Sequence, residues 1–141
     1  MASGERLARL IFTPIHVDLA TGDVLPDAFS DVERHGLSVQ RMLEPEEAIH
    51  ARGFAKAEAD RARGKVDRAY LGYVDSDCAQ IRGHSSPREK TFCVVDTGLN
   101  GNTLHADVVH TIGDMQKSKI RELKHDLWRL FSQLISRPAP K

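Results

Sequence analysis

The chain alternates short apolar runs with polar breaks, a pattern typical of a sheet with helices packed on it. Residues 7–12 predict a first strand, which should end at Pro14 because proline has no amide hydrogen to donate. Residues 37–39 predict a short second strand with Leu37 and Val39 on one face. The continuous apolar run at residues 92–95 is typical of a strand at the centre of a sheet.

Helical spacing recurs in three other segments. Pro45 and the glutamates after it favour a helix start, and Gly64 favours its end. Asn102 predicts the cap of a second helix, whose apolar stripe would run to residue 112. Asp114 predicts the cap of a third helix, which should continue with a broad apolar stripe until Pro138 stops it.

Residues 66–81 complete the predicted architecture. They favour a strand, a turn at residues 75–77 and a second short strand. We therefore predict an α+β fold: a small mixed or mainly antiparallel sheet of about four or five strands, with two or three helices. With 141 residues the chain has the length of one domain, predicted at residues 1–137, with a frayed tail at residues 138–141.

Composition narrows the classes of partner. Twenty basic and twenty acidic residues give no net charge, which argues against a duplex-DNA binder. The sequence holds no apolar run of membrane-spanning length, and its first residues lack the apolar core of a signal peptide. Cys78 and Cys93 are expected to be small core residues in a reducing compartment. We expect a cytoplasmic protein that needs no cofactor.

His105 is the first candidate catalytic residue. In the first turn of the helix that Asn102 would cap, the positive helix end would favour its neutral imidazole. A neutral imidazole can serve as a base or as a hydrogen-bond donor, and Asp96, at the end of the preceding strand, could orient it. Asn102 would contact the substrate. The alternative is a partly exposed histidine with no chemical role.

His16 and Asp18 form a second candidate pair. Strand alternation would place both on one face, His16 as catalytic partner and Asp18 as substrate contact. The alternative is that Asp18 caps a turn and His16 covers the sheet edge. Arg82 and Arg88 belong to a basic loop that could hold a phosphate. No metal site is predicted, because no cluster of zinc-type ligands emerges.

Two short stretches of the chain resemble a pattern found in other proteins. Residues 36–41 read Gly-Leu-Ser-Val-Gln-Arg, and Asp96 is followed by Asn-Thr-Leu-His-Ala at residues 102–106. This combination resembles a pattern in small uncharacterised bacterial proteins to which no activity is attached. The resemblance implies only that the second stretch has a role beyond packing.

These observations leave two hypotheses of function. The first is a small bacterial enzyme that acts on a nucleotide or another phosphate-containing substrate by histidine acid/base chemistry. The second is a non-catalytic protein–protein interaction module, such as an accessory subunit of a bacterial cassette. Because the last predicted helix has a wide apolar stripe that includes Trp128, we also expect a homodimer through that helix.

Overall fold

The structure, a computed structural model, describes residues 4–34, 36–84, 91–98, 102–111 and 117–139. Nine elements lie in this part of the chain. The strands are β1 (Arg6–Thr13), β2 (Leu37–Arg41), β3 (Ala69–Asp77), β4 (Phe92–Asp96) and β5 (His105–His110). The helices are a 3-10 helix (Pro26–Glu33), α1 (Glu46–Ala62), α2 (Cys78–Gly83) and α3 (Lys117–Leu130).

The strands form one sheet in the order β3-β1-β2-β5-β4, and every neighbouring pair is antiparallel. The α+β prediction is therefore confirmed. The first two strands fall where alternation predicted them, and β1 ends at Thr13, directly before Pro14. α1 also matches its prediction, because it ends at Ala62, shortly before Gly64 takes up a left-handed φ of 105°.

The helix predicted after Asn102 is wrong, because residues 105–110 form β5. This strand pairs with β2 on one side and β4 on the other. Ala106 and Val108 are fully buried, whereas His105 and Asp107 lie on the opposite face. The valine pair suits a pleated strand at least as well as a helix, and pairing on both sides settles the conformation. The cap predicted at Asp114 lies outside the described residues.

The predictions for residues 66–81 are half correct. β3 runs unbroken through Asp77, so no turn lies at residues 75–77. The chain then enters α2 instead of a second strand. The Asp77 side chain accepts a hydrogen bond from the Ala79 amide at 2.7 Å, which satisfies one of the unpaired donors at the helix start. Cys78 is buried as expected, but in a helix.

β4 lies at an edge of the sheet, not at its centre. The apolar run of residues 92–95 does not reveal this edge position. In the structure, Cys93 is exposed and Val95 keeps 40% of its surface open to solvent. The expectation that Cys93 is a core residue is therefore wrong. Only Phe92 and Val94 of this strand face the core.

α3 ends at Leu130, well before Pro138. The segment that follows turns back onto β3, where Ser136 exchanges backbone hydrogen bonds of 2.8 and 3.1 Å with Tyr73. Gly72 permits this approach, because a β-carbon there would overlap the Ser136 carbonyl. Leu134, which the helical stripe had included, is 83% exposed.

One face of the sheet, called here the closed side, is covered by the 3-10 helix and α3. Leu123, Leu127 and Phe131 recur every four residues and are all buried there. Trp128 packs against the same core and donates from Nε1 to the Val24 carbonyl at 2.8 Å. The apolar stripe expected to form a dimer is thus largely used within the chain.

Among the residues that the structure describes, the opposite face, called here the open side, is covered only in part. α1 lies over β1 and β3, where Gly53 comes so close to Tyr70 that a β-carbon would overlap the ring. Tyr70 also shares a 2.7 Å hydrogen bond with the buried His50.

Candidate functional site

The candidate site lies where β1 and β2 separate. These strands pair only at Leu7 with Arg41 and at Ala8 with Gln40. Beyond this point the Arg9 side chain enters the gap. Its Nε donates to the Ala28 carbonyl at 3.0 Å, and its Nη1 donates to the Ser38 carbonyl at 3.1 Å. An arginine therefore takes the place of strand pairing in the middle of the molecule.

Arg9 holds a buried and incompletely balanced charge. Burial lowers its pKa to about 10, although the charge of Asp31 opposes this shift, so the guanidinium stays protonated at neutral pH. Asp31 lies 3.7 Å from Nη2 and is itself 53% exposed, which weakens its attraction through solvent screening. A buried cation of this kind gains from any further anion placed beside it.

Arg9 lies between two adjacent cavities. Four residues line both of them: Arg9, Phe12, Ser38 and Lys56. The larger cavity has a volume of about 760 Å³ and the smaller about 380 Å³. Both fall within the size range of small-molecule sites, roughly 300–1,000 Å³. The site is therefore a bipartite cleft, with Arg9 on the wall that the two cavities share.

The larger cavity is lined mainly by charged side chains. Lys56 donates to Asp60 at 2.9 Å, and Arg68 lies 3.3 Å from the other carboxylate oxygen of Asp60. Burial raises the pKa of Asp60, but its hydrogen bond to Lys56 and the charges of Lys56, Arg68 and Lys65 outweigh burial, so the pKa falls below its usual value. The Arg68 Nε is buried without a hydrogen-bond partner.

His16 lines the larger cavity and is 7% exposed. Its Nδ1 accepts the Phe12 amide hydrogen at 3.0 Å, so the neutral ring carries its proton on Nε2. Burial, followed by the charges of Arg9 and Arg68, lowers its pKa to about 3. His16 is therefore a neutral hydrogen-bond donor at physiological pH and a poor general base.

His105 lines the smaller cavity from β5. Its Nδ1 shares a 2.8 Å hydrogen bond with the Thr97 hydroxyl, and its Nε2 lies 4.0 Å from Asp107. Asp96, predicted to orient it, instead pairs with Arg41 at 3.1 Å and accepts the Gly98 amide hydrogen. Thr97 thus holds the ring in the role expected of Asp96.

Asn102 also lines the smaller cavity, where its amide pairs with that of Gln40. Gln40 Nε2 donates to Asn102 Oδ1 at 3.1 Å, and Asn102 Nδ2 donates back to Gln40 Oε1 at 2.9 Å. Gln40 also donates to Glu44, at 3.2 Å. The pair fixes two amide groups at the cavity wall, although the helix that Asn102 was expected to cap is absent.

The remaining predicted substrate contacts lie elsewhere. Arg82 donates to the Val94 carbonyl at 3.4 Å and lines neither cavity. Asp18 accepts the Ala20 amide hydrogen at 2.9 Å, which is the turn-capping alternative. Arg88 lies outside the described residues. The structure therefore places His16, His105 and Asn102 around one cleft, and Asp96, Arg82 and Asp18 away from it.

Sequence reasoning missed Arg9, Gln40, Lys56 and Asp107. Arg9 carried the clearest signal, because it is a charge inside an otherwise apolar strand pattern, and such residues are rarely buried without a reason. Asp107 would have joined His105 had residues 105–110 been assigned to a strand, because alternate residues share a face. Lys56 carried no comparable signal in the sequence.

On the open side, the Asp107 carboxylate lies between the side chains of Ser38 and His105. Ser38 Oγ lies 3.5 Å from Asp107 Oδ1, the same oxygen that lies 4.0 Å from His105 Nε2. In a nucleophilic triad the histidine stands between serine and carboxylate. Here the carboxylate stands in the middle, so the arrangement favours acid/base chemistry over attack by the serine.

No group of three or more His, Cys, Asp and Glu side chains is arranged to hold a metal ion in the described ranges. Within the same ranges, no helix has the length and apolarity to cross a membrane. Comparisons with protein-family models, curated proteins and solved structures found no match to this chain.

Proposed function

We propose that the chain binds a phosphate-containing small molecule in the bipartite cleft and acts on it by acid/base chemistry at His105. The proposal rests on the position of Arg9, a buried guanidinium that lines both cavities and whose carboxylate partner, Asp31, is largely exposed to solvent. A phosphate would complete that balance with charge-assisted hydrogen bonds.

The anion-binding role expected of Arg82 and Arg88 passes in this proposal to Arg9, Lys56 and Arg68, which line the larger cavity. Arginine matches the planar edge of a phosphate, whereas lysine adds a mobile positive charge. His16 contributes a neutral N–H donor from the same cavity wall.

His105 is the residue suited to move a proton. Its Nδ1 is bonded to Thr97, and its Nε2 lies beyond hydrogen-bond distance of Asp107. Such a ring is held in place while Nε2 can still reach a ligand. Asp107 would stabilise the imidazolium that forms when Nε2 accepts a proton.

The catalytic role is tested by His105→Gln, which keeps a polar side chain but cannot carry the proton. Across a panel of phosphate esters, we expect turnover to fall at least about a hundredfold. The unfolding midpoint should stay unchanged. His125→Gln, at an exposed helical position, is the matched control and should leave turnover intact. Parallel losses of stability and turnover would refute the catalytic role.

A second candidate function is the interaction module, which the edge strand β4 favours. Cys93 and Val95 are exposed on the same face of this strand. The homodimer through the C-terminal helix also stays a proposal, with Leu134 as an exposed apolar contact beyond α3. Sedimentation of wild type and Leu134→Ser at micromolar concentration tests it, since a dimer that uses this segment should weaken in the variant.

We further propose that the chain works in a bacterial cytoplasm, where its two free thiols would stay reduced.

A further inference from the structure

We infer that the ligand of the bipartite cleft is a nucleotide, with its phosphate in the larger cavity and its base in the smaller one. This inference rests on the proposed function and adds the class of ligand and its orientation. It is carried by the different chemistry of the two cavities on either side of Arg9.

The charge of the larger cavity fits one phosphate monoester. Asp27 is already paired with Lys124 at 2.7 Å, which leaves two carboxylates, Asp31 and Asp60, facing four cations. The cations are Arg9, Lys56, Lys65 and Arg68. The surplus of two positive charges matches the charge of a phosphate monoester at pH 7, about −1.5 to −2.

The Arg68 side chain is a second feature of the larger cavity that favours binding of an anion. Its Nη1 contacts Asp60, but its Nε is buried and has no acceptor. A buried donor without an acceptor is destabilising. A small shift of the Arg68 side chain toward a bound phosphate would give its Nε–H an acceptor.

The smaller cavity suits a flat heterocycle. Leu10 and Phe12 give it apolar walls, of which Phe12 offers an aromatic ring. The paired amides of Gln40 and Asn102 also line this cavity, and Asn102 keeps one N–H and one lone pair beyond those the pair uses. Side-chain amides commonly read the edge of a base through one donor and one acceptor.

The charges of the smaller cavity argue against the opposite orientation of the nucleotide, with its phosphate in the smaller cavity and its base in the larger one. Arg52 is held by Glu44 through two contacts, of 2.7 and 3.1 Å, so its charge is already balanced. Arg9 and Lys56 lie on the wall shared with the larger cavity. A phosphate therefore meets more unbalanced positive charge on the larger side, and the sugar would lie beside the shared wall.

Calorimetry on the full chain tests the inference with three kinds of probe: ribose 5-phosphate, the four common nucleoside 5′-monophosphates and the corresponding free nucleosides. We expect at least one nucleotide to bind about tenfold tighter than ribose 5-phosphate. Asn102→Leu should remove that advantage and leave ribose 5-phosphate binding unchanged. Lys65→Ala, at an exposed position, should weaken ribose 5-phosphate and the nucleotides by the same factor. If Asn102→Leu does not fold, Asn102→Asp replaces it.

The outcomes separate the two proposals. If ribose 5-phosphate binds and all four nucleotides bind within about twofold of it, the nucleotide inference is overturned while the proposed function stands. If neither ribose 5-phosphate nor any nucleotide binds to the folded chain, both are overturned. If the free nucleoside binds as tightly as its monophosphate, the phosphate contributes nothing and both are again overturned.

Discussion

The closed and open sides of the sheet are built from the same strands but differ in chemistry. On β2 and β5, Val39 and Ala106 face the closed side and are almost fully buried. Their neighbours Gln40 and His105 face the open side and line the smaller cavity. Because one residue of displacement along a strand changes the face, β2 and β5 can contribute core packing on one side and the polar lining of the smaller cavity on the other.

The largest effect should come from the closed side. Leu127 is fully buried in the core to which α3 and the 3-10 helix both contribute, so Leu127→Ala removes apolar contacts and leaves a cavity. We expect the free energy of unfolding to fall by about 4 kcal/mol. Val95→Ala on exposed β4 should change it by less than about 0.5 kcal/mol. Urea unfolding of both variants checks the contrast, and equal effects would show that the two sides do not differ.

The buried His16 should make the stability of the fold depend on pH. Its folded-state pKa of about 3 lies below its ordinary 6.5, so the unfolded chain takes up the proton first as the pH falls. The stability contribution is complete above pH 6.5 and declines toward pH 3. We expect a loss of about 3 kcal/mol between pH 6.5 and pH 4, at about 1.4 kcal/mol per pH unit.

The matched variant is His16→Asn, which keeps an acceptor for the Phe12 amide but does not titrate. Unfolding measured from pH 7 to pH 4 should show a shallower acid decline in this variant than in the wild type. An identical decline in both proteins would mean that other groups, such as paired carboxylates, cause it.

A smaller effect is expected where α1 meets the open side. Gly53→Ala forces a β-carbon into the Tyr70 ring and should destabilise the chain by about 1–3 kcal/mol. This sign opposes helix propensity, which favours alanine by about 1 kcal/mol. Gly83→Ala, where a β-carbon meets nothing, is the control. Thermal unfolding of both variants measures the difference, and a stabilised Gly53→Ala would place α1 farther from β3.

Local sequence patterns are sufficient to predict several helices and strands. Proline before α1, a left-handed glycine after it and alternation in β2 each act within a few residues, so the sequence predicts them. β5 was misassigned because its apolar positions fit two periods. Only pairing with β2 and β4, which are distant in the chain, selects the strand. The edge position of β4 is likewise a property of topology.

The candidate site was harder to predict for the same reason. His16, His105 and Asn102 come from three segments, and their shared cleft depends on where β1 and β2 separate. Asp96 lies next to Thr97 in sequence, and strand pairing aims the threonine at His105 and the aspartate at Arg41. A one-residue difference of this kind cannot be read without the register.

The return of Ser136 onto β3 has a consequence for how copies of this chain meet. An edge strand with open amide and carbonyl groups is a template for strand addition, and so for aggregation. At Tyr73 both groups are already bonded to Ser136, and the Gly72 backbone lies directly against the same segment. The segment after α3 thus shields this stretch of the β3 edge from uncontrolled polymerisation.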